Sequence, residues 1–388
     1  MWKPDRSAES TFTSWYFSID KKLFGLVLLM ILIAMLMAIS SGSAMFVRTM
    51  NMTHKIQWYD FFVRMIPFYL IGVITLFGVS MTNHKTVMRL AWADVIVCML
   101  LLIGTVIHPH LVNHSHRWLV IPGLPYIMPS DLMKPGFVLV SAWFISKMKS
   151  VYGEDMFDLK RTLFQVKTWS WVWYLVPFVL VLAIQFWHPD FGTMLLYLLT
   201  FGAMLFVAGL PLRWVGMLGG VGTCLIALGV ALLPHVRART IGLFGAVDPT
   251  SQIGIALRAI RNGGIFGAGD KADIVEHLPM AESDFVLSVI SENFGAIAAC
   301  ALIVLLAFVV ARLLKQSRCA RDEFVSNAVA GTAAMFGFQV CINLASTLRL
   351  MPAKGMTLPF ISHGGSSLVA YCLLFGMILA LIREDKWK

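Results

Sequence analysis

Asp284, Ser288, Ser291, Glu292 and Gly295 recur at offsets of 4, 7, 8 and 11, which places all five on one face of a 3.6-residue helix. The surrounding residues are apolar enough for a membrane span, so this polar face cannot point at lipid. It is expected to line a cavity opening to the outside, with Asp284 at the mouth just after Leu278-Pro279. An ionisable side chain on such a face is a functional candidate by default. The competing reading is an ordinary acidic residue favoured by the helix dipole. Spacing alone leaves both open.

A second polar series, Gln339, Asn343 and Thr347 at i, i+4 and i+8, lies in another apolar stretch. Such neutral groups either bond across a helix interface or hold a sugar, and both readings stand. Arg64 is read as a snorkelling or structural residue, and Asp94 as one with a structural partner. His108, His110, His114 and His116 crowd one segment. Without a defined helix or strand geometry they are read as solvated loop histidines, not metal ligands.

The elements that must position these residues are membrane helices. The chain has 388 residues, 58% hydrophobic and 13% charged, with a mean hydropathy of +0.77. A soluble domain carries about a quarter charged residues, and no single globular core hides this much apolar surface. The net charge of +10 is spread between apolar runs, as expected of charges that orient helices in a bilayer. That distribution argues against nucleic acid as a partner. The six cysteines show no metal-ligand spacing and read as small core residues. The first apolar run is too long for a signal-peptide core and reads as a retained helix.

A crossing helix needs about 20 mostly apolar residues. On that rule the chain is an all-α polytopic membrane protein of about ten spans, near 23–45, 65–81, 90–107, 131–146, 169–187, 191–210, 214–233, 284–314, 324–349 and 367–382. With the N-terminus inside, the inside segments hold 19 Lys and Arg against 10 outside, five of those in one long loop. Both termini are therefore expected in the cytoplasm. Residues 1–22 form a cytoplasmic segment, 23–382 the membrane domain and 383–388 a cytoplasmic tail. A periplasmic loop of unusual length, about 234–283, joins spans seven and eight. Loops of that size are usually functional or disordered. Its middle, 252–260, has helix-like apolar spacing and is expected on the membrane surface. The glycine-rich run 263–269 then forces turns. No Gly-Lys-Ser/Thr follows it, which argues against a nucleotide-binding P-loop.

Four motifs in order carry a resemblance across nearly the whole chain. Pro352-Ala353-Lys354-Gly355-Met356-Thr357-Leu358-Pro359, followed by Ser362-His363-Gly364-Gly365-Ser366-Ser367, resembles the signature of the SEDS family of peptidoglycan glycosyltransferases. His188-Pro189-Asp190-Phe191-Gly192-Thr193 is similar to that family's Pro-Asp-Phe/Leu-Gly-Thr hairpin. Arg117-Trp118 with Pro129-Ser130-Asp131 and Lys134 resembles its Arg-Trp and Pro-Ser-Glu-x-x-Lys stretch. Ser283-Asp284-Phe285-Val286 resembles its Thr-Asp-Phe-Ile/Val segment. The wording around Pro352 and the Ser18-Ile19-Asp20 start of the first span look like the division-type (FtsW-like) branch.

The resemblance implies polymerisation of lipid II into septal glycan strands at the outer face of the inner membrane, with undecaprenyl pyrophosphate as leaving group. It implies a class B penicillin-binding transpeptidase and other divisome proteins as partners, beside the lipid bilayer itself. Asp284 becomes the catalytic base. Arg117, Lys134 and Arg261 are the candidates to stabilise the pyrophosphate. Asp131 is expected to orient Lys134 or help hold a divalent cation, magnesium or manganese. Gln339, Asn343 and Ser366 join the expected substrate contacts. Pro189, Asp190, Gly192, Pro352, Gly355, Pro359, Gly364 and Gly365 hold the motifs' structural positions. The chain departs from the pattern at Asp131, where the family has Glu, at His363, where it has Tyr, and at Glu282, where His is common. Polar faces on membrane helices also suit a lipid II flippase or a non-catalytic divisome scaffold, and these remain the alternatives.

Overall fold

The computed structural model describes residues 11–49, 60–107, 118–119, 127–157, 169–188, 190–217, 219–220, 224, 231, 243, 245, 247–352 and 355–385. Among them the chain is helical, with no strand and one isolated antiparallel bridge between Leu119 and Ile127. The helices are α1 (Thr11–Ser18), α2 (Lys21–Thr49), α3 (Asp60–Ser80), α4 (His84–Ile107), α5 (Pro129–Leu132) and α6 (Lys134–Tyr152). They continue as α7 (Trp169–Trp187), α8 (Phe191–Val207), α9 (Gln252–Gly263), α10 (Val286–Cys319), α11 (Glu323–Thr347) and α12 (Gly365–Asp385).

Six of these contain windows long and apolar enough to cross a membrane: Lys21–Ile39, Phe62–Ser80, His84–Ile107, Val286–Cys319, Glu323–Thr347 and Gly365–Arg383. Described helices stand at nine of the ten expected spans. Most of the seventh, 214–233, lies outside the described residues, as do the four histidines from His108 to His116. The fourth span needs correcting. It was expected to begin at Asp131, but Met133 separates the single turn of α5 from α6. Pro135 supplies no N–H, so it fits only the first turn of a helix, where no such bond is needed.

Helix starts are fixed by side chains that take up otherwise orphaned N–H groups. The Asp20 carboxylate accepts from the amides of Lys22 and Leu23, both at 3.2 Å. Ser251 caps α9 through the Gly254 amide at 3.1 Å, and Asp322 caps α11 through Phe324 at 2.8 Å. α6 takes its cap from a different helix: Asp94 of α4 accepts from the Gly136 amide at 2.8 Å. That is the structural partner expected for Asp94.

α12 is the central helix. It packs against α3, α11, α6, α5 and α4, and Leu374, Phe375 and every residue from Met377 to Leu381 are sealed from solvent. Large apolar side chains face outward instead on α2, α3, α4 and α10, among them Leu32, Ile74, Leu100 and Phe308. That inversion suits lipid as the solvent.

One end of the bundle is held by basic residues. Arg312 of α10 donates to the Asp20 carboxylate at 3.0 and 2.7 Å, and Gln316 donates to the same oxygen. Lys149 pairs with Glu323 at 2.7 Å. Arg383 donates to the Thr82 carbonyl at 2.7 Å, and the Trp15 indole to Ser80 at 3.0 Å. These contacts gather the starts of α2 and α11 with the ends of α3, α6, α10 and α12. Polar side chains of the candidate site occupy the opposite half.

Candidate active site

Lys134, the first residue of α6, is 1% exposed. Its ammonium lies 2.6 Å from an Asp131 oxygen and donates to Gln339 Oε1 at 2.7 Å. It also sits 5.3 Å from the centre of the Tyr371 ring. Tyr371 donates its hydroxyl to the same Gln339 oxygen at 2.7 Å. The Gln339 amide nitrogen in turn donates to the Thr357 carbonyl at 2.7 Å, and Thr357 reaches Ser367 at 3.2 Å. One buried chain of contacts therefore joins α5, α6, α11, α12 and the segment before α12.

Its depth follows from helix geometry. At about 1.5 Å per residue, the path from Glu323 to Gln339 and the path from Lys149 to Lys134 each rise about 23 Å. With the Lys149–Glu323 pair at one boundary of a hydrocarbon core about 30 Å thick, the ammonium lies inside that core. A charge there is costly unless it is paired and hydrogen-bonded, and Lys134 is both.

Asp284 is half-buried immediately before α10. Its amide donates to the Met280 carbonyl at 3.0 Å, and its carbonyl accepts from Asn343 at 3.0 Å. Asn343 also donates to the Met356 carbonyl at 2.7 Å. One asparagine thus ties the Asp284 segment to the segment before α12. His363 ties them a second time. Its backbone amide and ring Nδ1 both approach the Glu282 carbonyl, at 3.0 and 2.9 Å. A carbonyl only accepts, so Nδ1 carries the proton. Burial pushes the His363 imidazole below its usual pKa, and the bond to Glu282 offsets part of that shift. Two of the three sequence departures, Glu282 and His363, are contact partners.

Gln339 and Asn343 are one turn apart on α11. The first holds the Lys134 ammonium and the second holds the Asp284 backbone, so the two anchoring residues stand about 6 Å apart along the helix axis. Both residues are 1% exposed; the Gln339 amide and the Asn343 nitrogen are committed to protein partners, while Asn343 Oδ1 is buried without a hydrogen-bond partner among the described residues. That arrangement matches the interhelical reading of these two residues and does not show the sugar contact.

The face predicted on α10 is real, and Ser288, Ser291 and Glu292 are buried on it. α9 and the turns after it cover Ser291 and Glu292. The Glu292 carboxylate accepts from the Asn262 side chain at 2.7 Å and from the amides of Ile274 and Val275 at 3.1 and 2.8 Å. Gly295, at φ +83°, breaks α10 beneath this knot. A Cβ on Gly263 would strike the Ser291 carbonyl, and one on Gly295 would strike the Ile265 carbonyl. Glycine is needed at both because backbone packs on backbone. Likewise, α9 buries Ala256 and Ala259 while packing against α10, so it is more than a surface helix.

The remaining predicted residues divide. Arg117 and Pro189 lie outside the described residues. Arg261 is exposed in the last turn of α9, away from the buried Lys134 chain. Ser366 is half-buried, and its neighbour Ser367 joins the network instead. Asp190 caps α8 through the Thr193 amide at 3.4 Å, next to buried Gly192. Pro352 is half-buried, Gly355 exposed and Pro359 buried. Gly365 admits the Phe68 ring against its backbone, and Gly364 lies against Thr357. Tyr371 and Thr357 were missed as site residues. A polar atom in the otherwise apolar α12 was the available signal for Tyr371.

Apolar helices exposed to lipid, with a charged cluster sunk between them, define a polytopic membrane protein with an intramembrane polar site. A family model described as "Cell cycle protein" (FtsW, RodA and SpoVE) matches residues 20–387, and the chain belongs to that family. It is 32% identical to the probable peptidoglycan glycosyltransferase FtsW of Caulobacter vibrioides, over 95% of this chain and 90% of that one. The Legionella pneumophila protein of the same name is 28% identical, over 95% and 92%. Among solved structures, the Thermus thermophilus rod shape determining protein RodA has a like fold, with TM-score 0.62, 24% identity and coverage of 95% and 98%. A chain described under "Structural coordination of polymerization and crosslinking by a peptidoglycan synthase complex" gives TM-score 0.73 at 23% identity, covering 95% and 99%.

Proposed function

We propose that this protein is a peptidoglycan glycosyltransferase that polymerises lipid II during cell division. The relatives' names and the family support the activity. The observation that carries the mechanism is that α11 anchors the Asp284 segment and the Lys134–Asp131 pair one turn apart. In this reading Asp284 takes the proton from an acceptor sugar hydroxyl, which attacks the anomeric carbon of the donor. The bond to undecaprenyl pyrophosphate breaks, and Lys134, oriented by Asp131 and Gln339, stabilises the negative charge that leaves. Arg117 and Arg261 are further candidates for the same charge. Among the described residues no three His, Cys, Asp or Glu gather as a metal cage. A magnesium or manganese ion held mainly by substrate phosphates needs only one or two carboxylates.

The proposed topology has ten spans, cytoplasmic termini and the Asp284 half on the periplasmic side of the inner membrane. Its proposed setting is the septum, with a class B penicillin-binding transpeptidase and other divisome proteins as partners. The test is lipid II polymerisation by purified protein, with and without that transpeptidase. Asp284→Asn keeps the side chain's shape and removes the base, so polymer yield is expected to fall by at least about 10²-fold while membrane insertion is kept. Undiminished polymer from that variant overturns the base assignment. Translocation of lipid II without any polymer from the unaltered protein identifies a flippase, and division supported by Asp284→Asn identifies a scaffold.

A further inference from the structure

The glycine-rich run after α9 does more than turn the chain. The Ala296 amide donates to the Gly264 carbonyl at 2.9 Å and the Ile297 amide to the Ile265 carbonyl at 3.3 Å. Residues 264 and 265 therefore lie at the level of residues 296 and 297 of α10. From Arg312, bound to Asp20 at the basic end, α10 rises about 24 Å to Ala296. A hydrocarbon core is about 30 Å thick. The tip of the run thus stands near the far boundary of that core.

Its side chains agree with that depth. Ile265 is 62% exposed and Phe266 83%, and the run from Gly263 to Gly269 contains no charged residue. Beside it α10 exposes Phe294 and Ile297, and the same outward face continues through Val304 and Phe308. The two apolar surfaces are continuous. Non-helical backbone is tolerated at membrane depth where protein satisfies its polar groups, and here the run on either side of Phe266 is tied back to protein. Gly267 donates to the Gly263 carbonyl at 2.8 Å, Ala268 to the Glu292 carbonyl at 2.7 Å, and Gly264 to the Arg261 carbonyl at 3.3 Å. Gly295 opens the helix where the run docks, so α10 and the run complete each other's hydrogen bonds.

We infer that residues 263–268 form a re-entrant wedge whose Ile265 and Phe266 side chains insert among the acyl chains of the bilayer leaflet on the Asp284 side. The occupant is lipid and not water, because the tip extends an apolar face that already meets the membrane along α10. The wedge fixes α9 and the Glu292 knot at a set depth beside the candidate active site. It rests on the membrane reading of the chain and on no catalytic step.

The test places a nitroxide at Phe266→Cys in full-length protein whose exposed native thiols, Cys224, Cys300, Cys319 and Cys341, are replaced by alanine. The purified protein is reconstituted alone into phosphatidylcholine and phosphatidylglycerol vesicles. Collision with oxygen, which concentrates in the acyl region, is compared with collision with a water-soluble nickel chelate. Oxygen is expected to dominate at 266 and at a second site, Ile265→Cys, and the order is expected to reverse at Thr250→Cys on the same loop. Chelate dominance at both 265 and 266 overturns the wedge, as does protection from both reagents, which signals coverage by protein. An inactive polymerase leaves the readout unaffected, so the two proposals fail separately.

Discussion

Replacing Lys134 by methionine is expected to damage the fold and the activity for two separable reasons. The side chain keeps its length but loses its charge, leaving Asp131, only 8% exposed, without the ammonium 2.6 Å away. Removing one partner of a buried ion pair costs about 3–5 kcal/mol, because the other charge is stranded. At about 1.36 kcal/mol per tenfold, the folded-to-unfolded ratio falls about 10²- to 10⁴-fold. Asp131→Asn in the same chain removes the stranded charge, and neutral replacements of buried pairs are often tolerated. The double variant is therefore expected to recover most of the lost stability. Polymerisation is expected to recover in neither, since both lack the cation proposed to stabilise the leaving pyrophosphate. Unfolding in detergent, followed for the four members of the double-mutant cycle, reads the first effect, and polymer from lipid II reads the second. A Lys134→Met protein as stable as the original refutes the buried-pair argument. A double variant that polymerises at the original rate refutes the role in catalysis.

Two further outcomes follow from other contacts. Glu292→Gln offers an amide nitrogen to a site built from three N–H donors, with about 1.5–3 kcal/mol at stake in each charge-assisted bond; limited proteolysis is expected to nick the 263–283 segment faster than in the original, and equal protection refutes the knot. His363 is held below its usual pKa in the folded chain by burial, so the unfolded chain binds its proton more readily and stability rises with pH. Stability should be flat above about pH 6.5, fall as the pH drops from there to the lowered value, and level off beneath it, with His363→Gln flattening that step in an unfolding series.

The bilayer made the helices legible. A fixed thickness demands about 20 apolar residues per crossing, and the ends of α7 were read to the residue. What periodicity cannot supply is the identity of whatever covers a face. The stripe on α10 was placed on one side of the helix, and from Ser291 to Gly295 its neighbour is α9 and the Glu292 knot. The resemblance put Asp131 beside Lys134, but Met133 breaks the helix between them, a backbone detail without a composition signal. Glu282 and His363 looked like independent departures from a family pattern. Their contact joins positions 81 residues apart, which no local window contains. Tyr371 entered the site for the same reason, through a side chain reaching across from the central helix.

The inventory of hydrogen bonds separates the residue suited to touch substrate from those that aim it. Gln339 is saturated: its oxygen accepts from Lys134 and Tyr371, and its nitrogen donates to Thr357. Any ligand would have to break one of these bonds to gain another. Lys134 has three N–H donors, of which Asp131 and Gln339 take two, while the ammonium also faces the ring of Tyr371. A ring face is a weaker partner for an ammonium than an anionic oxygen, since cation–π contacts contribute about 0.5–2 kcal/mol and charge-assisted bonds to phosphate are among the strong ones. A phosphate oxygen can therefore exchange with the ring without dismantling the Asp131 pair. Asp131 and Gln339 hold the cation in place, and Lys134 keeps the one position from which it can act on a leaving group.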